Sequence, residues 1–214
     1  MSRVTMIISN AFRPDPRLLN EACSMAEAGH QVNIVGWDRA CEKPQTETLE
    51  NGIRVYRIQS VRSGYGLGAS QLRRVPRYWL ALYSTLNRLK PEIVHCHDFD
   101  TLPGGLWWGK LHRKPVIYDA REYYAELVKP RLHGLSGKLL YRFIGAAERY
   151  CARQASAVIT VDENLGAIYR RFNRRVIIVG HYPPLRMVGA PAPVFTRPEL
   201  HMLYAGRLSA DRGL

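Results

Sequence analysis

The segment His95-Cys96-His97-Asp98-Phe99-Asp100 follows an apolar run and crowds two imidazoles, a thiol and two carboxylates into six residues. Imidazoles and carboxylates exchange protons and ligate divalent metals. Further on, Tyr118-Asp119-Ala120-Arg121-Glu122-Tyr123-Tyr124-Ala125-Glu126 sets three carboxylates, one arginine and three aromatic rings in nine residues. That mixture suits a sugar, because carboxylates accept from hydroxyls and aromatic faces pack on the apolar faces of a pyranose ring. A third stretch, Ser9 to Arg17, precedes a helix start and carries Asn10, Arg13 and Arg17. Free amides at a helix start attract anions, and the arginines add charge; pairing of the same arginines with nearby carboxylates is the equally weighted alternative.

A metal site is one reading of the first cluster, with His95, His97 and Asp98 serving a metal-dependent hydrolase. The spacing departs from the His-x-His-x-Asp-His pattern of metallo-β-lactamases: Phe99 stands in the aspartate position and Asp100 in that of the last histidine. The His-x-His of amidohydrolases sits in a barrel of eight strand–helix repeats, typically about 250 residues and longer than this chain. The ordinary reading gives one histidine to sheet packing and uses Asp98 or Asp100 to cap a helix starting at Thr101. The expectation is therefore no metal, packing or capping roles for His95 and Asp100, and a cleft for His97 and Asp98.

The elements that must position these groups alternate along the chain. Apolar runs at Val4–Ile8, Gln31–Gly36, Ile53–Ile58, Ile93–Cys96, Val116–Tyr118, Ala157–Val161 and Val176–Val179 read as strands. Helical spacing marks Pro16–Ala28, Leu72–Leu89, Thr101–Leu111, Ser136–Ala152 and Glu163–Phe172. Asp15-Pro16 is a good helix start and Gly29 a good stop. The fold class that follows is α/β, a doubly wound parallel sheet covered on both faces. Ligands of such sheets sit beyond the carboxyl ends of the strands, where all three chemistry-bearing stretches fall. The stretch after the first strand lacks GxGxxG, which argues against a nicotinamide or flavin domain. Ser63 to Gly68, with three glycines, reads as a flexible rim.

Charge narrows the partners. Of 214 residues, 31 are Lys or Arg and 18 Asp or Glu, a net charge of +13, and 25 of the cations are arginine. Arginine's planar fork matches phosphate, so sugar nucleotides, anionic lipid and nucleic acid all qualify. The clusters Arg73, Arg74, Arg77 and Arg170, Arg171, Arg174, Arg175 read as solvated or membrane-proximal faces. No nucleic-acid module surrounds them, so nucleic acid is not expected. Four cysteines, Cys23, Cys41, Cys96 and Cys151, lack metal spacing and read as reduced thiols. The start of the chain shows no secretory pattern, so a cytoplasmic location is expected, with peripheral contact on the inner face of an anionic membrane as an extension of it.

Taken in order, Asp15-Pro16-Arg17, Glu27 to Val32, Ile93 to Pro103, Val116 to Asp119, Glu148 and Leu203 to Gly213 resemble the family 4 glycosyltransferases of the GT-B fold. The resemblance implies a Rossmann-like amino-terminal domain over 1–185, a linker over 186–199, and the first strand and turn of a nucleotide-sugar-binding domain over 200–214. It also implies a retaining transfer from a nucleotide-diphosphate sugar to a glycan, lipid-linked or small-molecule acceptor, with no other cofactor. Asn10, Arg17, His97, Asp98, Asp119, Arg121 and Glu122 would line the cleft, and Arg207 and Arg212 would hold the donor diphosphate. Arg121 stands where many members carry histidine near the reacting sugar. A guanidinium stays protonated and cannot act as a base, so at most it clamps an anion. No catalytic residue is assigned. The chain is expected to be a fragment lacking most of the donor domain and inactive alone. Two alternatives stay open at this stage: a non-catalytic basic module for anionic lipid or a protein partner, and the metal-dependent hydrolase.

Overall fold

The computed structural model describes residues 1–12, 15–49, 51–64, 70–180 and 182. The strands are β1 (Arg3–Ile8), β2 (Gln31–Trp37), β3 (Thr46–Thr48), β4 (Arg54–Ile58), β5 (Ile93–His97), β6 (Val116–Ala120), β7 (Ala157–Thr160) and β8 (Val176–Ile178). The helices are α1 (Pro16–Glu27), α2 (Ser70–Leu89), α3 (Leu102–His112), α4 (Tyr124–Val128), α5 (Gly134–Gln154) and α6 (Glu163–Tyr169). Met1–Tyr182 form one compact unit and Pro183–Leu214 another; every described residue belongs to the first.

Val4 to Ile8 are buried one after another, so both faces of β1 are covered, as expected for the centre of a parallel sheet. The sheet order is β3-β4-β2-β1-β5-β6-β7-β8, and every neighbouring pair runs parallel except β3 with β4. Winding proceeds outward from β1 in one direction to β4 and in the other from β5 to β8. The switch point lies between β1 and β5, where loops diverge and leave a crevice.

On one face, α1 presses Leu18 and Ala22 onto Met6, Ile8, Ile34 and Val55. On the other, α2, α3, α5 and α6 cover Ile7, Val35, Cys96 and Tyr118. The α/β doubly wound class is the observed one, with two additions. Strand β3 is an antiparallel edge, and the short α4 follows β6; neither was expected. Strand β3 owes its place to charge, because its Glu47 accepts at 2.6 Å from the buried Arg57 of β4. Arg57 also donates to the carbonyls of Ala11 at 2.8 Å and Pro44 at 2.9 Å. One satisfied guanidinium thus ties the edge hairpin to the loop after β1. Helix α6 ends at Tyr169, a turn short of the expected Phe172. Tyr65 to Gly68 of the expected rim, the linker 186–199 and the strand and turn over 200–214, with Arg207 and Arg212, lie outside the described residues.

Candidate functional site

Three loops leave the sheet at the switch point and beside it. The loop after β1 is held close to β2, since a Cβ on Gly36 would lie 2.7 Å from the Asn10 carbonyl oxygen. Only glycine permits that approach. Asn10 turns its side chain back to accept from the Phe12 amide at 2.8 Å, so it serves its own loop. Asp15 caps α1, accepting from the Arg17 amide at 3.0 Å.

Residues His95 and His97 lie two apart on β5 and so point to the same face, where their rings stack with centroids 4.4 Å apart. Both are buried. The expectation that only one enters the packing is therefore corrected: strand alternation separates neighbours, not next-neighbours. His97 Nδ1 meets the Asp119 carboxylate at 2.7 Å, and its Nε2 faces the Glu21 carboxylate of α1 at 4.0 Å. Burial alone pushes the His97 pKa down, but the hydrogen bond and charge of Asp119, with Glu21 behind them, outweigh it and raise it. Asp119 is held below the ordinary carboxylate range because the His97 bond and charge outweigh its own burial. Burial and the neighbouring His97 push His95 down to about 3, so it is neutral at pH 7. Burial, chiefly, pushes Glu21 up to about 7.

Glu21, His95, His97 and Asp119 could hold a cation: their ligand atoms all lie within 4.8 Å of one another. His95 Nε2, His97 Nε2 and Asp119 Oδ1 are buried without hydrogen-bond partners. Asp98, which the alternative metal reading grouped with His95 and His97, is absent from this group, because Arg121 engages it.

Asp98 takes a left-handed backbone, φ 65°, which aspartate tolerates better than most residues. The turn aims its carboxylate at the loop after β6. Arg121 donates Nε to Asp98 Oδ1 at 3.1 Å and a terminal nitrogen to Asp98 Oδ2, a fork-on-fork pair. Its other terminal nitrogen reaches Asp15 Oδ2 at 3.2 Å. A single guanidinium therefore joins the loops after β1, β5 and β6. The expected anion clamp is corrected: the protein's own carboxylates occupy this fork. Helix α3 starts at Leu102 with Thr101 in the capping position, and neither Asp98 nor Asp100 caps it; Thr101 donates its hydroxyl back to the His97 carbonyl at 2.9 Å.

Arg17 lies half-exposed with Nε 3.5 Å from Asp15, which gives weight to carboxylate pairing, yet its side chain also borders a cavity of about 360 Å³. Glu21, Met25, His95, Ile159 and Tyr182 line the same cavity. His97 and Asp119 lie beside it through their contacts with Glu21 and His95. Glu122 is exposed on the far side of Arg121 in the sequence. The structure thus brings together Arg17, His97, Asp98, Asp119 and Arg121 and leaves Asn10 and Glu122 out of the bonded cluster. Sequence reasoning missed Glu21 as a site group and gave Asp15 only a capping role. Glu21 lies one helical turn after Arg17, and that spacing on a single helix face was the available signal.

The floor of the loop after β6 is set by Glu148, buried on α5. It accepts from Tyr118 at 3.0 Å, Tyr169 at 2.6 Å, and the amides of Tyr124 at 3.0 Å and Ala125 at 3.1 Å. Burial raises its pKa despite these four donors.

The glycosyl transferase 4-like domain family matches residues 14–180, a span that begins inside the loop after β1 and holds the loops after β5 and β6 entire. The chain belongs to this family. Solved structures of similar fold include the sucrose-phosphate synthase of Thermosynechococcus elongatus, at 13% identity and TM-score 0.64, covering 87% of this chain and 49% of that one. The calicheamicin glycosyltransferase CalG4 aligns at 15% identity and TM-score 0.54, covering 90% and 56%. The UDP-GlcNAc 2-epimerase of Methanocaldococcus jannaschii aligns at 12% identity and TM-score 0.52, covering 83% and 45%. At such identities the likeness is one of fold, the Rossmann-like GT-B architecture, and the chain spans about half the length of these proteins. No curated protein matches it at the sequence level.

Proposed function

We propose that this glycosyl transferase 4-like chain is the acceptor-side domain of a retaining glycosyltransferase. A nucleotide-diphosphate sugar is the donor, and a glycan, lipid-linked or small-molecule acceptor lies over the crevice. The observation that carries the reading is the gathering of Arg17, Glu21, His97, Asp98, Asp119 and Arg121 at the switch point of a sheet whose sequence matches this family. Buried carboxylates with raised or lowered pKa values beside a cavity suit the fixing of sugar hydroxyls. Arg121 acts here as a positioning residue, since its donors are spent on Asp98 and Asp15. Arg207 and Arg212 supply charge for the donor diphosphate. The fold is shared by an epimerase, but the family match favours transfer. The four cysteines are free thiols, which suits a reducing, cytoplasmic compartment.

The test is titration of the purified chain with a panel of nucleotide sugars and saccharides, read by amide and imidazole NMR shifts. Saccharide binding that perturbs Arg17, His97 and Arg121, without sugar transfer by this chain alone, is the expected result. Silence across the panel would overturn the reading, as would turnover by the purified monomer. Stoichiometric zinc on Glu21, His95, His97 and Asp119 would replace it with a metal-dependent hydrolase.

A further inference from the structure

Helix α5 carries two unlike sides. Inward it buries Gly137, Gly145, Glu148 and Ala152. Outward it exposes Leu135 (86%), Leu139 (71%), Phe143 (68%) and Tyr150 (62%). These four and Ala146 follow one another at intervals of four, four, three and four residues, which on a 3.6-residue helix forms a continuous stripe. Lys138, Arg142, Arg149 and Arg153 repeat similar spacing alongside, so a row of cations flanks the apolar row. Helix α3 packs beside α5 and extends the surface with exposed Trp107, Leu111 and Lys110, whose ammonium lies 5.8 Å from the Tyr150 ring. Arg113 and Lys114 follow, also exposed.

Acid is missing from this surface. Helix α3 contains no carboxylate, and the single one of α5, Glu148, points inward. On neighbouring α4, Glu126 is taken up by Lys129 and Tyr141. A large exposed apolar patch marks an interaction site, and its charged border says which kind. A second copy of this chain would bring cations against cations with no carboxylate to offset them. An anionic bilayer offers both halves of the match: acyl chains for the stripe and phosphate headgroups for the border. Among the described residues no helix is long and apolar enough to cross a membrane, so the contact is one of lying on the surface.

We infer that the α5–α3 face docks the protein on an anionic lipid surface, with Leu139 and Phe143 inserted and Lys138, Arg142 and Arg149 on the headgroups. This places the lipid contact on the α5–α3 face and not at Arg73, Arg74, Arg77 or Arg170 to Arg175, the clusters read from the sequence as solvated or membrane-proximal. Glu148, in the last third of α5, accepts from the amides of Tyr124 and Ala125 just after β6, so α5 runs beside the end of the sheet that bears the candidate site and docking sets the crevice near the lipid surface. The inference goes beyond the transfer reading and does not depend on it, since partition is measured without catalysis.

The experiment is co-sedimentation of the purified chain with phosphatidylcholine vesicles, with and without phosphatidylglycerol, across a salt series. Salt-sensitive binding to the anionic vesicles is expected. L139S/F143S should weaken it at least about tenfold, from the lost apolar insertion. R142E/R149E should weaken it more than about twentyfold, at roughly fivefold or more for each cation lost. R171E/R174E, between α6 and β8, should leave it unchanged. Circular dichroism should show all three variants folded, because the altered side chains are exposed. Failure to bind anionic vesicles, indifference to L139S/F143S, or dissociation of a dimer by that variant would each overturn the inference; the last would assign the face to a second copy.

Discussion

Arg121 and Asp98 form a two-pronged ion pair across the mouths of β5 and β6, and the third arm of the same guanidinium rests on Asp15 at the start of α1. Removing the arginine leaves two carboxylates without their partner in a partly buried setting. R121A should lower stability by about 2 kcal/mol, and R121H by about 1, since an imidazole cannot reach both acids at once. Denaturant titration checks both values, and equal stability of R121A and the wild type would show that the pair is ornamental.

Acid should undo part of this tie. The Asp15 pKa is lowered: its burial is outweighed by the Arg17 amide, the Arg17 charge and Arg121. A lowered acid contributes stability above its unfolded value of 3.8 and loses it as pH falls through the folded value. The melting temperature of the wild type should therefore exceed that of D15N near neutrality, and the gap should close below pH 3.8. A gap that persists in acid would mean that Asp15 acts by shape and not by charge.

Strand ends were the readable part of the site. His97, Asp98, Asp119 and Arg121 each stand within two residues of the end of a parallel strand, so strand assignment alone placed them at one edge. Glu21 and the second role of Asp15 depend on how α1 is rotated over the sheet, which no single segment encodes. Strand β3 was illegible for a related reason. Thr46-Glu47-Thr48 has no apolar pattern, and it pairs because Arg57, on another strand, needs a carboxylate. Helix α4 is too short to show a period, and its first amides are satisfied from α5. The core needed no such distant information, because buried runs such as Val4 to Ile8 announce themselves.

Gly105 of α3 sits against β5 so closely that an added Cβ would lie 2.3 Å from Cys96 Sγ. G105A should cost about 1–3 kcal/mol through overpacking, a loss larger than the helix-propensity gain of up to about 1 kcal/mol. Adding C96A should recover much of it, and thermal melts of the single and double variants measure the coupling. Additive losses would place the strain elsewhere.

Glu148 receives four donors, and deleting it strands buried hydroxyls and amides together. E148A should destabilise by about 3–5 kcal/mol, with E148Q milder because one amide oxygen still accepts. A loss below about 1 kcal/mol in urea titration of E148A would show that water replaces the carboxylate at no cost.

The same carboxylate has a kinetic signature. Tyr124 and Ala125 begin a five-residue helix near the surface, where amide protons would ordinarily trade with solvent in moments. Anchored on Glu148, those two protons can leave only when α4 and α5 come apart. Deuterium uptake at Tyr124 and Ala125 is thus a clock for that larger opening.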